Sequence, residues 1–176
     1  MMWLFLLSDT LTFGGFLSGY GFSRLAAPAW PRQSEIFNLG LVGLMTFILI
    51  CSSATMAMAV AASRREAWKD AVRFLAFTIL GGLAFLGMQA YEWSRFIGEG
   101  ARLWGNPWGV PLFSATFFLI TGFHGLHVSA GVIYLATVVR RVRIGRYTAD
   151  GVETAGLYWH FVDLVWVFIF TLLYLV

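Results

Sequence analysis

The chain predicts an all-α fold, an integral membrane bundle of five transmembrane helices. Three observations carry that expectation. Of the 176 residues, 59% are hydrophobic and only 12% charged, far from the composition of a soluble domain. Five apolar runs recur, each near the ~20 residues a helix needs to cross a bilayer. The polar connections between them are too short to fold as a second domain, so residues 1–176 read as a single transmembrane domain.

The first run, about 1–22, starts without basic residues and passes through Asp9 into Gly14 and Gly15 without a small-residue cleavage signature. It reads as a retained helix and not as a signal peptide. The second, about 36–62, holds the single cysteine, Cys51, which excludes a disulfide framework within the chain and suits packing. The third, about 72–97, ends in GMQAYEWSRF, with Gln89, Glu92 and Arg95 spaced three apart on one face. Glu92 and Arg95 are expected to pair along the helix, and Gln89 to hydrogen-bond a neighbouring helix. The fourth, about 112–139, places His124 and His127 among Gly122, Gly125 and Gly131. Two histidines at that spacing are a weak metal signal without a nearby cysteine or acid, and the glycines point to close helix contact.

The fifth run, about 157–176, follows Glu153 and contains His160 and Asp163. At 100° per residue Glu153, Gly156, His160, Asp163 and Val167 share one side, while Phe161, Leu164, Phe168 and Leu172 lie on another. An ionisable side chain at membrane depth costs ~2.5 kcal/mol or more, so the polar stripe must meet partners inside a bundle. Counting ~1.5 Å per residue along each helix, Asp9, His127, His160 and Asp163 come to similar depths and Glu92 does not. The first four are expected to form one hydrogen-bonded cluster.

Basic residues set the orientation. Arg64, Arg65, Lys69 and Arg73 lie in one connection and Arg140, Arg141, Arg143 and Arg146 in another, eight of the twelve in the chain. Both connections are expected on the cytoplasmic side, which puts the N-terminus inside and the C-terminus outside. The opposite connections carry Trp30, Trp104 and Trp108 as interfacial anchors and only Arg24, Arg32, Arg95 and Arg102. A net charge of +3 distributed in this way does not describe a nucleic-acid binder.

The strings FFLITGFHGLHVSAGVIYL and ETAGLYWHFVDLVWVFIFTLLYLV resemble the last two helices of subunit III of haem-copper terminal oxidases, the cytochrome c oxidase and quinol oxidase subunit III family. GMQAYEWSRF resembles its Gln/Glu helix, and LFLLSDTLTFGG the helix that bears its membrane carboxyl. The resemblance, to the five-helix bacterial type, covers nearly the whole chain. It implies an accessory subunit with no haem or copper of its own, those centres belonging to partner subunits. Subunit I is the implied main contact, with subunits II and IV, membrane lipids and a larger respiratory supercomplex as further partners, in the bacterial cytoplasmic membrane. Asp9 occupies the position of the carboxyl linked in the family to proton uptake, where mitochondrial-type members usually have Glu. Gln89, Glu92, His124, His127, Glu153, His160 and Asp163 are then structural polar residues. The seven-helix members carry two more N-terminal helices forming a lipid-holding cleft, so that lipid site does not transfer, although phospholipid in another groove stays open. Three rivals remain: a stand-alone bis-histidine b-type cytochrome with His160 opposite His124 or His127, an accessory subunit of a nitric oxide reductase, and a proton-coupled transporter using Asp9, Glu92 and Asp163.

Overall fold

The structure, a computed structural model, describes residues 2–27, 30, 37–105, 107 and 109–175. Arg32, Trp108 and the sequence-predicted span limits at Met1, Ile36 and Val176 lie outside the described residues. Five helices follow one another: α1 Met2–Ala26, α2 Leu39–Arg64, α3 Trp68–Gly98, α4 Pro111–Arg143 and α5 Ala149–Ile169, which a wider π turn, Phe170–Leu175, prolongs. Among the described residues there is no strand, only one isolated bridge between Arg102 and Gly105.

Four of the helices, α2 to α5 with its extension, are long and apolar enough to cross a membrane. At 25 residues α1 has the length, but Ser8, Asp9, Thr10, Thr12 and paired glycines dilute its apolar character. Its buried residues, Leu6, Asp9, Phe13 and Tyr20, form one stripe at helical spacing, so Asp9 faces the protein.

Local chemistry fixes the helix ends. After α3 the Ala101 N–H bonds the Phe96 carbonyl and the Gly100 N–H that of Ile97; after α4 Arg146 reaches Arg141 and Gly145 reaches Val142. These are Schellman caps, and Gly100 (φ 93°) and Gly145 (φ 66°) supply their left-handed residue. The same cap closes α2 with Glu66 at φ 59°, a conformation that costs a residue with a Cβ. Thr148 caps α5, its hydroxyl accepting from the Gly151 N–H.

The helices α2, α3, α4 and α5 pack in a ring in which each touches the next, and α1 lies against α4 and α5. Close approach depends on glycine. A Cβ on Gly82 would come within 2.6 Å of the Trp159 ring and 2.8 Å of Val132, and one on Gly131 within 3.0 Å of Trp159. Trp159 and Trp166 are fully buried and tie α5 to α2, their indole N–H groups donating to Ser52 (3.1 Å) and Thr46 (3.0 Å). Cys51, expected as a packing residue, is instead exposed on the outer surface of α2.

Candidate functional site

Asp9 and His127 meet where α1 crosses α4. The Asp9 Oδ2 lies 3.1 Å from His127 Nε2, and both residues are largely shielded. On the other side of the ring, Nδ1 is 2.8 Å from the Phe123 carbonyl. A carbonyl only accepts, so Nδ1 carries a hydrogen and donates it. One further proton then sits between Nε2 and the carboxyl. With it on Asp9 the pair is neutral; with it on His127 the pair is an ion pair. The two arrangements differ only in which atom holds that proton, so it can shift along the hydrogen bond without breaking it. Phe13 and Phe123 pack edge-on against the imidazole at 5.4 and 4.7 Å, and Tyr158 on α5 donates to the His127 carbonyl at 2.9 Å. Helix α1 is thus pinned to α4 at this polar point.

His160 and Asp163 lie elsewhere, on the seam of α5 with α2. The His160 Nδ1 is 2.6 Å from the Ser53 hydroxyl, and Asp163 lies one turn further along the same helix. The Glu153 carboxylate accepts from Arg64 at 2.6 Å at the end of the same seam, and Gly156 lets α5 approach Val60. The stripe predicted on α5 therefore faces α2, with Val167 at its exposed end. The single cluster of Asp9, His127, His160 and Asp163 expected from depth is two separate groups. The rotation of α5 turns His160 towards Ser53 on α2, whereas His127 faces Asp9 on α1.

Near the other end of the bundle Glu92 accepts a hydrogen bond from the Tyr174 hydroxyl at 3.1 Å and is only 4% exposed. The expected pair with Arg95 does not form: Arg95 donates to Glu99 at 3.0 Å, one turn further along and at the exposed helix end. Desolvation explains the exchange, since a guanidinium remains near water while Glu92 turns inward. Gln89 donates to the Thr121 carbonyl at 2.6 Å, joining α3 to α4, and Trp93 reaches the Thr121 hydroxyl at 3.3 Å. His124 is fully buried among Phe13, Phe85 and Trp166, and neither ring nitrogen has a hydrogen-bond partner among the described residues.

The three imidazoles meet different partners: aromatic rings for His124, Phe123 and Asp9 for His127, Ser53 for His160. Among the described residues no three His, Cys, Asp or Glu side chains converge on one point. In the connection before α5, burial and then the neighbouring Tyr134 push the Tyr147 hydroxyl up to about 12, so it stays protonated and donates to the Gly151 carbonyl at 3.4 Å. The partners that the sequence did not single out are Ser53, Tyr158, Tyr174 and Thr121. Their only signal is a hydroxyl inside an apolar run.

Long apolar helices closed around buried carboxyls and imidazoles define a polytopic integral membrane protein. The whole chain, residues 1–176, matches the family described as cytochrome c oxidase subunit III. It is 32% identical to cytochrome c oxidase subunit 3 of Bacillus sp. (strain PS3), over 98% of this chain and 83% of that protein. To a probable quinol oxidase subunit 3 of Staphylococcus aureus (strain USA300) it is 34% identical, over 99% of this chain and 86% of that one. The chain belongs to the cytochrome c oxidase subunit III family, and as such to a respiratory assembly in which it associates with other oxidase subunits.

Proposed function

We propose that this chain is the accessory subunit III of a bacterial haem-copper oxygen reductase, itself without a catalytic centre. It stabilises the catalytic subunit and supports proton uptake. Haem and copper reside in the partners, with subunit I as the main contact and subunits II and IV nearby. All five helices cross the cytoplasmic membrane, the N-terminus inside and the C-terminus outside. The arginine-rich connections after α2 and α4 support that orientation.

The observation that carries the reading is the Asp9–His127 contact. A carboxyl and an imidazole in hydrogen-bond contact hold one proton that either can keep, within helices where unshielded charge is costly. Such a pair buffers a proton beside a neighbour that consumes protons.

Two substitutions separate that role from packing. Asp9→Asn keeps a donor for His127 Nε2 but cannot exchange a proton, whereas Asp9→Ala removes both. In the intact oxidase, both variants are expected to slow proton uptake and shorten the turnover lifetime, while Asp9→Asn alone leaves the complex fully assembled. Wild-type uptake and lifetime in Asp9→Asn would reduce the pair to a structural tie.

A further inference from the structure

We propose that the seam between α3 and α4 binds two internal water molecules, one joining Glu92 to Gln89 and the other joining Gln89 to His124. The inference rests on three buried side chains whose polar atoms the neighbouring groups leave unbonded, and it is independent of any part in proton uptake.

Glu92, Gln89 and His124 are 4%, 6% and 0% exposed. Among the described residues Glu92 Oε1, Gln89 Oε1 and both ring nitrogens of His124 have no hydrogen-bond partner. Buried polar atoms of this kind are rare in folded proteins, and ordered water is their usual partner where side chains supply none. The donors around them are already committed. The Tyr174 hydroxyl donates to Glu92 Oε2, the Thr121 hydroxyl to the Phe117 carbonyl, the Trp93 indole to the Thr121 hydroxyl and the Trp166 indole to Thr46.

Register puts the three residues in line. The bond from Gln89 Nε2 to the Thr121 carbonyl levels those two positions, and Phe85 beside His124 (ring centroids 5.6 Å) and Trp93 beside Phe118 (5.2 Å) follow the same antiparallel register. Glu92 lies three residues beyond Gln89 on α3 and His124 three beyond Thr121 on α4. Each is therefore about 4.5 Å from the Gln89 level along the seam, on opposite sides of it. That is too far for a direct hydrogen bond, and it matches the span of two bonds of ~2.8 Å meeting at one water oxygen. The chemistry agrees. Because Nε2 must face the Thr121 carbonyl, Gln89 Oε1 is an acceptor with two lone pairs to fill. Glu92 and Gln89 thus present acceptor to acceptor, and a water bridges them by donating to both. The second water donates to Gln89 Oε1 and bonds the His124 ring in either tautomer, accepting from an N–H or donating to a bare nitrogen. Room exists at this level because Gly122 and Gly125 of α4 carry no side chain, and a groove of about 400 Å³ reaches Gln89 beside them.

The test is water-edited solid-state NMR of the full chain in bilayers. The three histidines follow Phe123, Leu126 and Trp159, and of the glutamates only Glu92 follows a tyrosine. Isotopic labelling of Phe carbonyls with His, or of Tyr carbonyls with Glu, therefore isolates His124 and Glu92 without mutation. Magnetisation from water is expected to reach a His124 ring nitrogen and the Glu92 carboxyl within the mixing time that reaches exposed Glu99. In Gln89→Met, of similar length but without the acceptor, both transfers are expected to fall severalfold. His124→Phe keeps an aromatic ring in place and removes the nitrogens; it is expected to lower the unfolding midpoint, because the second water loses a partner, whereas unbonded nitrogens would make the same change stabilising. No transfer to His124 or to Glu92 in the wild type, transfer unchanged in Gln89→Met, or a raised midpoint in His124→Phe would each overturn the proposal. Should either variant fail to fold, the wild-type spectra decide alone.

Discussion

At Glu92 one carboxylate oxygen takes the Tyr174 hydroxyl, and the other has no hydrogen-bond partner among the described residues. Removing the hydroxyl strips a buried carboxyl of its donor, a change that costs about 1–3 kcal/mol. Tyr174→Phe is therefore expected to lower the thermal unfolding midpoint in detergent, and to do so much less in a Glu92→Leu background, where no carboxyl is left to satisfy. Strain of another kind sits at Glu66, whose φ of 59° closes the α2 cap. Glu66→Gly relieves a penalty of about 1 kcal/mol and raises the midpoint, while Gly145→Ala at the matching position of α4 lowers it. Asp9, Glu92, His127, His160 and Asp163 stood out in the sequence because each is ionisable within an apolar run. Their partners did not, since the hydroxyls of Ser53, Tyr158 and Tyr174 sit in lipid-exposed and buried helices alike. Which hydroxyl meets which acid depends on helix rotation, and no spacing rule within one helix encodes it.

The helix that organises the bundle is α5, and its rotation is set by tryptophan against glycine. Val152, Ala155, Trp159, Val162, Trp166, Ile169 and Leu173 form the buried face. The polar stripe from Glu153 to Asp163 lies along one edge of it, against α2. The stripe was legible at 100° per residue; the core face beside it was not, because a helix apolar nearly all round gives no contrast between core and lipid. Leu164 and Phe168 are more than half exposed, in keeping with the opposite side. Filling Gly82 tests this packing. A methyl there lies 2.6 Å from a Trp159 ring carbon buried on all sides, so Gly82→Ala should destabilise the fold by about 1–3 kcal/mol. Gly87→Ala, one and a half turns along the same helix, meets nothing within 4 Å and should be neutral or slightly stabilising. Equal midpoints for the two variants would separate α3 from Trp159. The helices also run past the apolar segments: α3 begins at Trp68 and α4 ends at Arg143, since amphipathic end turns stay helical while their arginines extend into the headgroups.

On the scale of the molecule, α1 decides the topology. The other four helices close a ring by themselves, and α1 is attached outside it through Leu6, Asp9, Phe13 and Tyr20. Composition leaves its status marginal: Asp9, which binds it to α4, and Ser8, Thr10 and Thr12, whose hydroxyls bond carbonyls of α1 itself, lower its hydropathy. Its outer face adds to this: Trp3, Leu4, Leu7 and Leu11 are exposed in the first half of the helix and Phe22 and Leu25 at its end, with Gly14, Gly15 and Gly19 exposed between. Large apolar side chains exposed at both ends of the helix suit hydrocarbon or another protein within it, which supports the proposed fifth span. Helix α4, which is long and apolar enough to cross, lies between the Leu103 connection and the Arg146 connection, so the proposed topology has them on opposite sides of the membrane. In a Cys51→Ser background, Leu103→Cys is expected to react with a membrane-impermeant maleimide added to whole spheroplasts. Arg146→Cys should react only after lysis if, as proposed, the basic connections are cytoplasmic. A residue placed at the chain start, Met2→Cys, should follow Arg146→Cys. Labelling of Met2→Cys from outside would mean that α1 does not span, and would leave Asp9 on the wrong side of the membrane to serve an inward proton path.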